Sequence, residues 1–264
     1  MKKEVLKVLK YFAIFDYSPT LDELHTFLPI KIDKKKLKYT PPQYSILKKV
    51  SEKKLGNWRF EIYIKLLSLA QQIKLVGLSG SISMMNAKED DDIDLFIITA
   101  KNRLFTGRLI ALFLAQLLGL RRTRKLKNNK NKVCLNLFFD ESNLKVPKFK
   151  QTVFVGHEVL QMKPLVIKGD IYNRFLRANK WVFKLFPNVP LVIPAPDRSR
   201  GQAPAGIYTR NTWIPSYEGM TRLSDKLEQV LKNFQLYFIN KHKTTEIITA
   251  TQLWFHPHDY NSFM

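Results

Sequence analysis

Residues 76 to 98 leave this chain few folds to choose from. Val76-Gly77-Leu78-Ser79-Gly80-Ser81 is followed, after ten residues, by Asp92-Ile93-Asp94-Leu95-Phe96-Ile97-Ile98. The pattern reads as a strand, a small-residue turn and a second strand bearing two acids. Side chains alternate along a strand, so Asp92 and Asp94 point one way while Ile93 and Leu95 point into a core. Two acids about 6 to 7 Å apart along a strand suit a pair of hard divalent cations. Gly80 lets the backbone approach a polyphosphate, and Ser81 offers a hydroxyl and an N–H at the start of a short helix. These are the parts of a site for metal-assisted phosphoryl or nucleotidyl transfer. The competing reading is a solvated acidic turn, Glu89 to Asp94. Two acids inside an apolar strand cost stability unless a cation or ligand compensates, which favours the site.

Composition bears on partners and compartment. The 264 residues carry a net charge of +22, which favours anionic partners such as nucleotides or nucleic acid; bias toward Lys is the bland alternative. The single cysteine, Cys134, rules out an internal disulfide, and a cytoplasmic location is expected. The start Met1-Lys2-Lys3-Glu4-Val5 leads into an amphipathic segment, so no signal peptide is expected. Leu104 to Leu120 is strongly apolar, but 17 residues with an internal Arg108 fit a helix packed on a sheet better than a membrane span. No stable membrane insertion is expected.

Helical spacing over residues 3 to 13 precedes Thr20-Leu21-Asp22-Glu23, a capping box that starts a second short helix. The pair is compatible with the front of a helix-turn-helix module, and Tyr39-Thr40-Pro41-Pro42 marks a linker. The basic run Lys31 to Lys38 reads as a solvated loop. Trp58, Ile62, Leu66 and Leu69 give a helix over residues 57 to 72 that should back the sheet. Strands are expected at Ile73 to Leu78, Ile93 to Thr99 and Val133 to Phe139, with a helix from Asn102 to Leu120. Between them, Arg121 to Lys132 holds seven basic residues in twelve, an exposed loop suited to a triphosphate or a nucleic-acid acceptor. Residues 171 to 186 read as one amphipathic helix, 187 to 219 as an irregular linker, and Arg222 to Lys241 as a last helix. The pair His157-Glu158 lacks a second His at helical spacing and reads as structural or substrate-facing. His256, His258 and Asp259 are too few for a metal site, so packing of Trp254 and Phe255 is expected there instead.

At Gly80-Ser81 and Asp92-Ile93-Asp94-Leu95 the chain resembles the nucleotidyltransferase superfamily whose best known member is DNA polymerase beta. That signature is a hydrophobic residue, Gly, Gly or Ser, a spacer, and an acid-hydrophobic-acid-hydrophobic run; residues 82 to 91 form the spacer here. The resemblance implies a third carboxylate on a neighbouring strand, where it completes the metal site and helps deprotonate the attacking hydroxyl. The polar position in Val133-Cys134-Leu135-Asn136-Leu137-Phe138-Phe139-Asp140 is Asn136, which cannot act as a base. Asp140 shares its face by alternation, about 13 Å further along. The helical start around Tyr11-Phe12-Ala13-Ile14-Phe15-Asp16-Tyr17 and the segments His157 to Pro164 and Phe255-His256-Pro257 resemble a little-studied group of bacterial and archaeal nucleotidyltransferase-domain proteins.

The expected architecture is α/β (α+β), a small mixed-sheet nucleotidyltransferase core at residues 55 to 145. Residues 1 to 54 form a helical segment before it, and residues 146 to 264 a mainly helical region after it. The resemblance implies that Asp92 and Asp94 hold Mg²⁺ or Mn²⁺ while Gly80 and Ser81 hold the phosphates of an NTP. Lys101, Arg103 and Arg108 are further candidates for phosphate contact. An acceptor hydroxyl, on RNA, a protein or a small molecule, would receive the NMP with release of pyrophosphate. The rival expectation is a catalytically degenerate nucleotide- or nucleic-acid-binding regulator.

Overall fold

Thr20 and Glu23 form the capping box that their spacing predicts. The Glu23 N–H donates to Thr20 Oγ1 at 3.2 Å, and the Thr20 N–H donates to Glu23 Oε2 at 2.8 Å. They start helix α2 (Leu21–Thr26), which packs on α1 (Lys2–Ala13) through Val8, Tyr11, Phe12 and Leu24. In this computed structural model, residues 1–41, 46–122, 129–189, 207–209 and 218–255 are described. The lysines of the run 31–38 lie exposed around a single 3₁₀ turn.

Helix α3 (Ile46–Leu55) leads to α4 (Trp58–Leu69), whose first turn is capped by Asn57. The buried face of α4 is Phe60, Tyr63, Ile64 and Leu67. Its predicted inner face is wrong: Trp58 is 61% exposed and Leu69 68%. The helix is apolar on most sides, so 3.6-residue spacing fits more than one face. Strand β1 (Ile73–Leu78) and the one-turn helix α5 (Gly80–Ser83) come next, then β2 (Ile93–Thr99), α6 (Leu104–Leu117) and β3 (Val133–Asp140). β1 and β2 pair antiparallel, and β2 and β3 parallel across the α6 crossover. α6 lies very close to the sheet at Gly107, where an added Cβ would stand 2.5 Å from Thr99 Cγ2.

Residues 146 to 264 contribute more strand than expected. Helix α7 (Val153–Gln161) runs into β4 (Lys163–Lys168), which pairs with β1. Pro164, opposite Gly77, sits beside a break in that ladder, a place where a strand tolerates proline. The helix predicted over 171 to 186 is two, α8 (Ile171–Ala178) and α9 (Trp181–Leu185). Buried Asn179 separates them, donating to the carbonyls of Leu144 and Phe175 at 2.8 and 2.9 Å and accepting the Val146 N–H at 2.8 Å. Strand β5 (Ile207–Thr209), helix α10 (Glu218–Lys241) and strands β6 (Ile247–Ile248) and β7 (Gln252–Trp254) complete the chain. Residues 190–206 and 210–217 of the predicted linker, and His256, His258 and Asp259, lie outside the described residues.

The result is a mixed α/β fold around one seven-stranded sheet in the order β5-β4-β1-β2-β3-β7-β6. One face carries α4, α6 and α10 over Val76, Leu78, Leu95, Ile97 and Phe138. The other carries α7, α8 and α9 over Leu75, Phe96, Ile98, Phe139 and Trp254. Among the described residues no helix is long and apolar enough to cross a membrane.

Candidate active site

The turn from β1 into α5 needs glycine for two separate reasons. Gly80 has φ +61°, a conformation that L side chains rarely adopt, and a Cβ there would lie 2.5 Å from Asp94 Oδ2. The carboxylate of the second strand is thus packed against the glycine of the turn. Beside it, the Ser79 N–H donates to the Asp94 carbonyl at 3.0 Å. Ser81 Oγ donates to Asp91 Oδ2 at 3.1 Å, and the same oxygen accepts the Lys88 N–H at 2.9 Å. Buried Lys54 holds the spacer from below, its ammonium donating to the carbonyls of Glu89 and Asp91 at 2.8 and 2.7 Å.

Asp92 and Asp94 flank buried Ile93 and stand partly buried on the same side of β2. Their carboxylate oxygens and Cys134 Sγ all lie within 4.8 Å of one another. A chain of polar contacts links them. Arg122 pairs with Asp92 and donates to Cys134 Sγ at 3.1 Å; Cys134 donates to Asn136 Oδ1 at 2.7 Å; Asn136 Nδ2 donates to Asp94 Oδ1 at 2.5 Å. Burial, then the charge of Asp92, then that of Glu158 push the Asp94 carboxyl up to about 8 against the pull of Arg122. Burial and the two acids also push the Cys134 thiol up. The oxygen donors suit a hard cation, and once Asp94 ionises, the two carboxylates with Arg122 on Asp92 leave negative charge for such an ion to neutralise.

Asn136 shares the face of Cys134 and Asp94 by alternation, and β3 bulges at this point. Asp94 pairs with Cys134 and Leu95 with Leu135, but Phe96 pairs with Leu137, so one extra residue enters β3 at this point. The bulge reverses the alternation beyond it and overturns the expectation for Asp140. That residue pairs with Thr99 at the far end of the strands, on the face covered by α6, and accepts from Ser142 N–H and Oγ at 2.8 and 2.6 Å. It takes no part in the site.

Of the three basic candidates after β2, Lys101 and Arg103 lie at the wrong end of the strand. They follow Thr99, about 20 Å from Asp94 by strand rise. The Lys101 N–H donates to Glu141, and Arg103 is bound to Asp225 at 2.6 Å and Ser224 at 2.5 Å on α10. Arg108 is partly buried on α6, donates to Gln235 at 2.7 Å and lies over the Phe255 ring at 5.0 Å. It does line the same groove as the two acids, a cleft of roughly 1130 Å³ between α6, α10 and β3. Arg121 and Arg122, from the basic run flagged in the sequence, also line that groove, and Arg122 pairs with Asp92.

Glu158 belongs to this site in a way the sequence did not specify. It projects from α7, accepts the Gly80 N–H, and is pushed up to about 7 by burial. Its neighbour His157 faces the other way, stacked between Tyr11 and Phe27 with centroids 4.0 Å from each, and is held neutral by burial. Adjacent helical residues point about 100° apart, which lets one helix serve a core and a site. Searches against protein-family models, curated proteins and solved structures found no match to the chain.

Proposed function

We propose that the protein is a divalent-metal-dependent nucleotidyltransferase that moves an NMP from an NTP to an acceptor hydroxyl. The observation that supports this most is the packing of the Asp94 carboxylate onto Gly80, which makes the acid pair and the glycine turn a single unit. On this reading Asp92 and Asp94 would hold Mg²⁺ or Mn²⁺. The bound ions would neutralise charge on the phosphate oxygens and acidify the acceptor hydroxyl. Gly80 and Ser81 would meet the β and γ phosphates, and Arg122 would exchange its contact with Asp92 for a phosphate oxygen. The acceptor oxygen attacks the α phosphorus, the bond to the bridging oxygen of the β phosphate breaks, and pyrophosphate leaves. Asn136 cannot accept the hydroxyl proton. Glu158, drawn to the pair by the Gly80 N–H, is assigned as the third carboxylate in place of one on β3.

The test is transfer of label from each of the four α-³²P NTPs to RNA, protein and small-molecule fractions, with Mg²⁺ or Mn²⁺. Wild type should label one fraction, and Asp92→Ala and Asp94→Ala should label none. Activity retained in both variants removes the proposal.

A second reading has one observation in its favour. Arg122 and Asn136 already satisfy Asp92 and Asp94 from within the protein. A degenerate core that binds nucleotide or nucleic acid without turnover would look the same. It predicts binding that falls steeply with salt and is unchanged when either acid is removed.

A further inference from the structure

We infer that the groove between α6 and α10 is a seat for single-stranded nucleic acid, which would be the acceptor in the transfer reaction; the acceptor role, though not the binding, rests on the nucleotidyltransferase reading above. Three aromatic rings line the groove and stand in solvent: Phe113 on α6 is 63% exposed, and Phe234 and Phe238 on α10 are 60% and 50% exposed. Exposed phenylalanines are costly to solvate, and a folded chain normally buries them. Phe234 and Phe238 lie one helical turn apart, with centroids 4.9 Å from each other. That edge-to-face pair offers ring faces to successive bases. Arg122 stands at Asp92, and Arg121 and Arg108 add two more guanidinium groups to the lining of the groove.

Ring faces and guanidinium groups lining one channel are what an unpaired strand needs. Each base stacks on a ring irrespective of sequence, and the backbone phosphates follow the positive charge. At roughly 1130 Å³ the groove also exceeds the 300 to 1,000 Å³ typical of a small-molecule site. A duplex fits poorly, because its bases are already stacked and cannot reach the rings. The net charge of +22 supplies the long-range attraction that an anionic polymer responds to. A strand laid here would bring one end to the carboxylates, as a terminal hydroxyl acceptor requires.

The experiment is fluorescence anisotropy with a labelled mixed-sequence 12-nucleotide RNA and the same DNA, in EDTA, with no NTP. Wild type should bind both, and a duplex of the same length should bind at least about tenfold more weakly. Phe234→Ala/Phe238→Ala should weaken binding at least about tenfold. Both positions are solvent-facing, so circular dichroism and the melting temperature should stay at wild-type values. Arg121→Gln should reduce the slope of log affinity against log salt by roughly one. Affinity unchanged in the double Phe variant overturns the inference. So does equal displacement by polyglutamate, which would mark a general polyanion surface, or a dimer in sedimentation that the double variant dissolves, which would give the rings to a second copy. Binding without transfer by wild type would refute the nucleotidyltransferase reading and leave the groove standing.

Discussion

Replacing Asp94 with Asn should stabilise the metal-free protein, and increasingly so as the pH rises. Burial, then Asp92, then Glu158 hold the Asp94 carboxyl at about 8 instead of 3.8. Between those values the folded chain keeps a proton that the unfolded chain has lost. Stability therefore falls as the pH rises through this window, and the whole penalty is present above pH 8. At about 1.4 kcal/mol per pH unit it would approach roughly 6 kcal/mol for a group sealed from water. Asp94 is only partly buried, and screening reduces the figure to about 2 to 4 kcal/mol. Asn carries no such penalty. Urea unfolding in EDTA at pH 5, 7 and 9 should place the variant about 1 kcal/mol above wild type at pH 5, with the gap widening to about 2 to 4 kcal/mol at pH 9. Mg²⁺ or Mn²⁺ at pH 9 should then raise the stability of wild type and leave the variant unmoved, because the charge that destabilises the fold is the charge a cation neutralises. A gap that stays constant from pH 5 to pH 9 refutes the electrostatic account. A widening gap with a wild type indifferent to both cations refutes the metal site.

Three other outcomes are expected. Gly80→Ala places a Cβ 2.5 Å from Asp94 Oδ2 at φ +61°; it should lower stability by roughly 1 to 2 kcal/mol in a thermal melt and reduce NMP transfer at least about a hundredfold. Glu158→Gln keeps an oxygen for the Gly80 N–H and removes the charge, so transfer should fall at least about tenfold while the melting temperature at pH 9 rises; unchanged transfer would strike Glu158 from the site. His157 is held at about 3 by burial, so the folded state binds fewer protons than the unfolded state between pH 3 and 6.5, and stability is lost as the pH falls through that range. His157→Phe should match wild type at pH 7 and exceed it by about 2 to 3 kcal/mol at pH 4.5 in urea unfolding, and a parallel decline of both proteins would refute the role given to the ring.

The sequence made β1 and β2 plain because each is a buried apolar run with a clear stop, Ser79 before the turn and Ala100 after the second strand. It made the Gly80 turn and the Asp92, Asp94 pair plain for the same local reason. What it concealed depends on partners far along the chain. The bulge that turns Asp140 away from the site arises in the pairing of β2 with β3, and nothing local in Leu135-Asn136-Leu137 announces it. Arg103 looks free in sequence, yet its partner Asp225 lies 122 residues away. The strand Lys163–Lys168 carries a proline, and β7 is three residues long, so neither has the period-2 run that marks a strand. Glu158 gave no signal beyond its adjacency to His157, since only the fold brings α7 to Gly80.

The two faces of α7 join parts of the protein that lie more than fifty residues apart in sequence. Tyr11, Phe12 and Phe27 grip His157, while Glu158, one residue on, grips Gly80. A second tie runs from the Phe15 carbonyl to Asn86 at 2.9 Å, just past the glycine turn. The first two helices are therefore tied to the surroundings of the candidate site at two points, His157 and Asn86. A ligand that shifted α1 by an ångström would be felt at Gly80, and removal of α1 would open His157 to water and free Glu158 to leave.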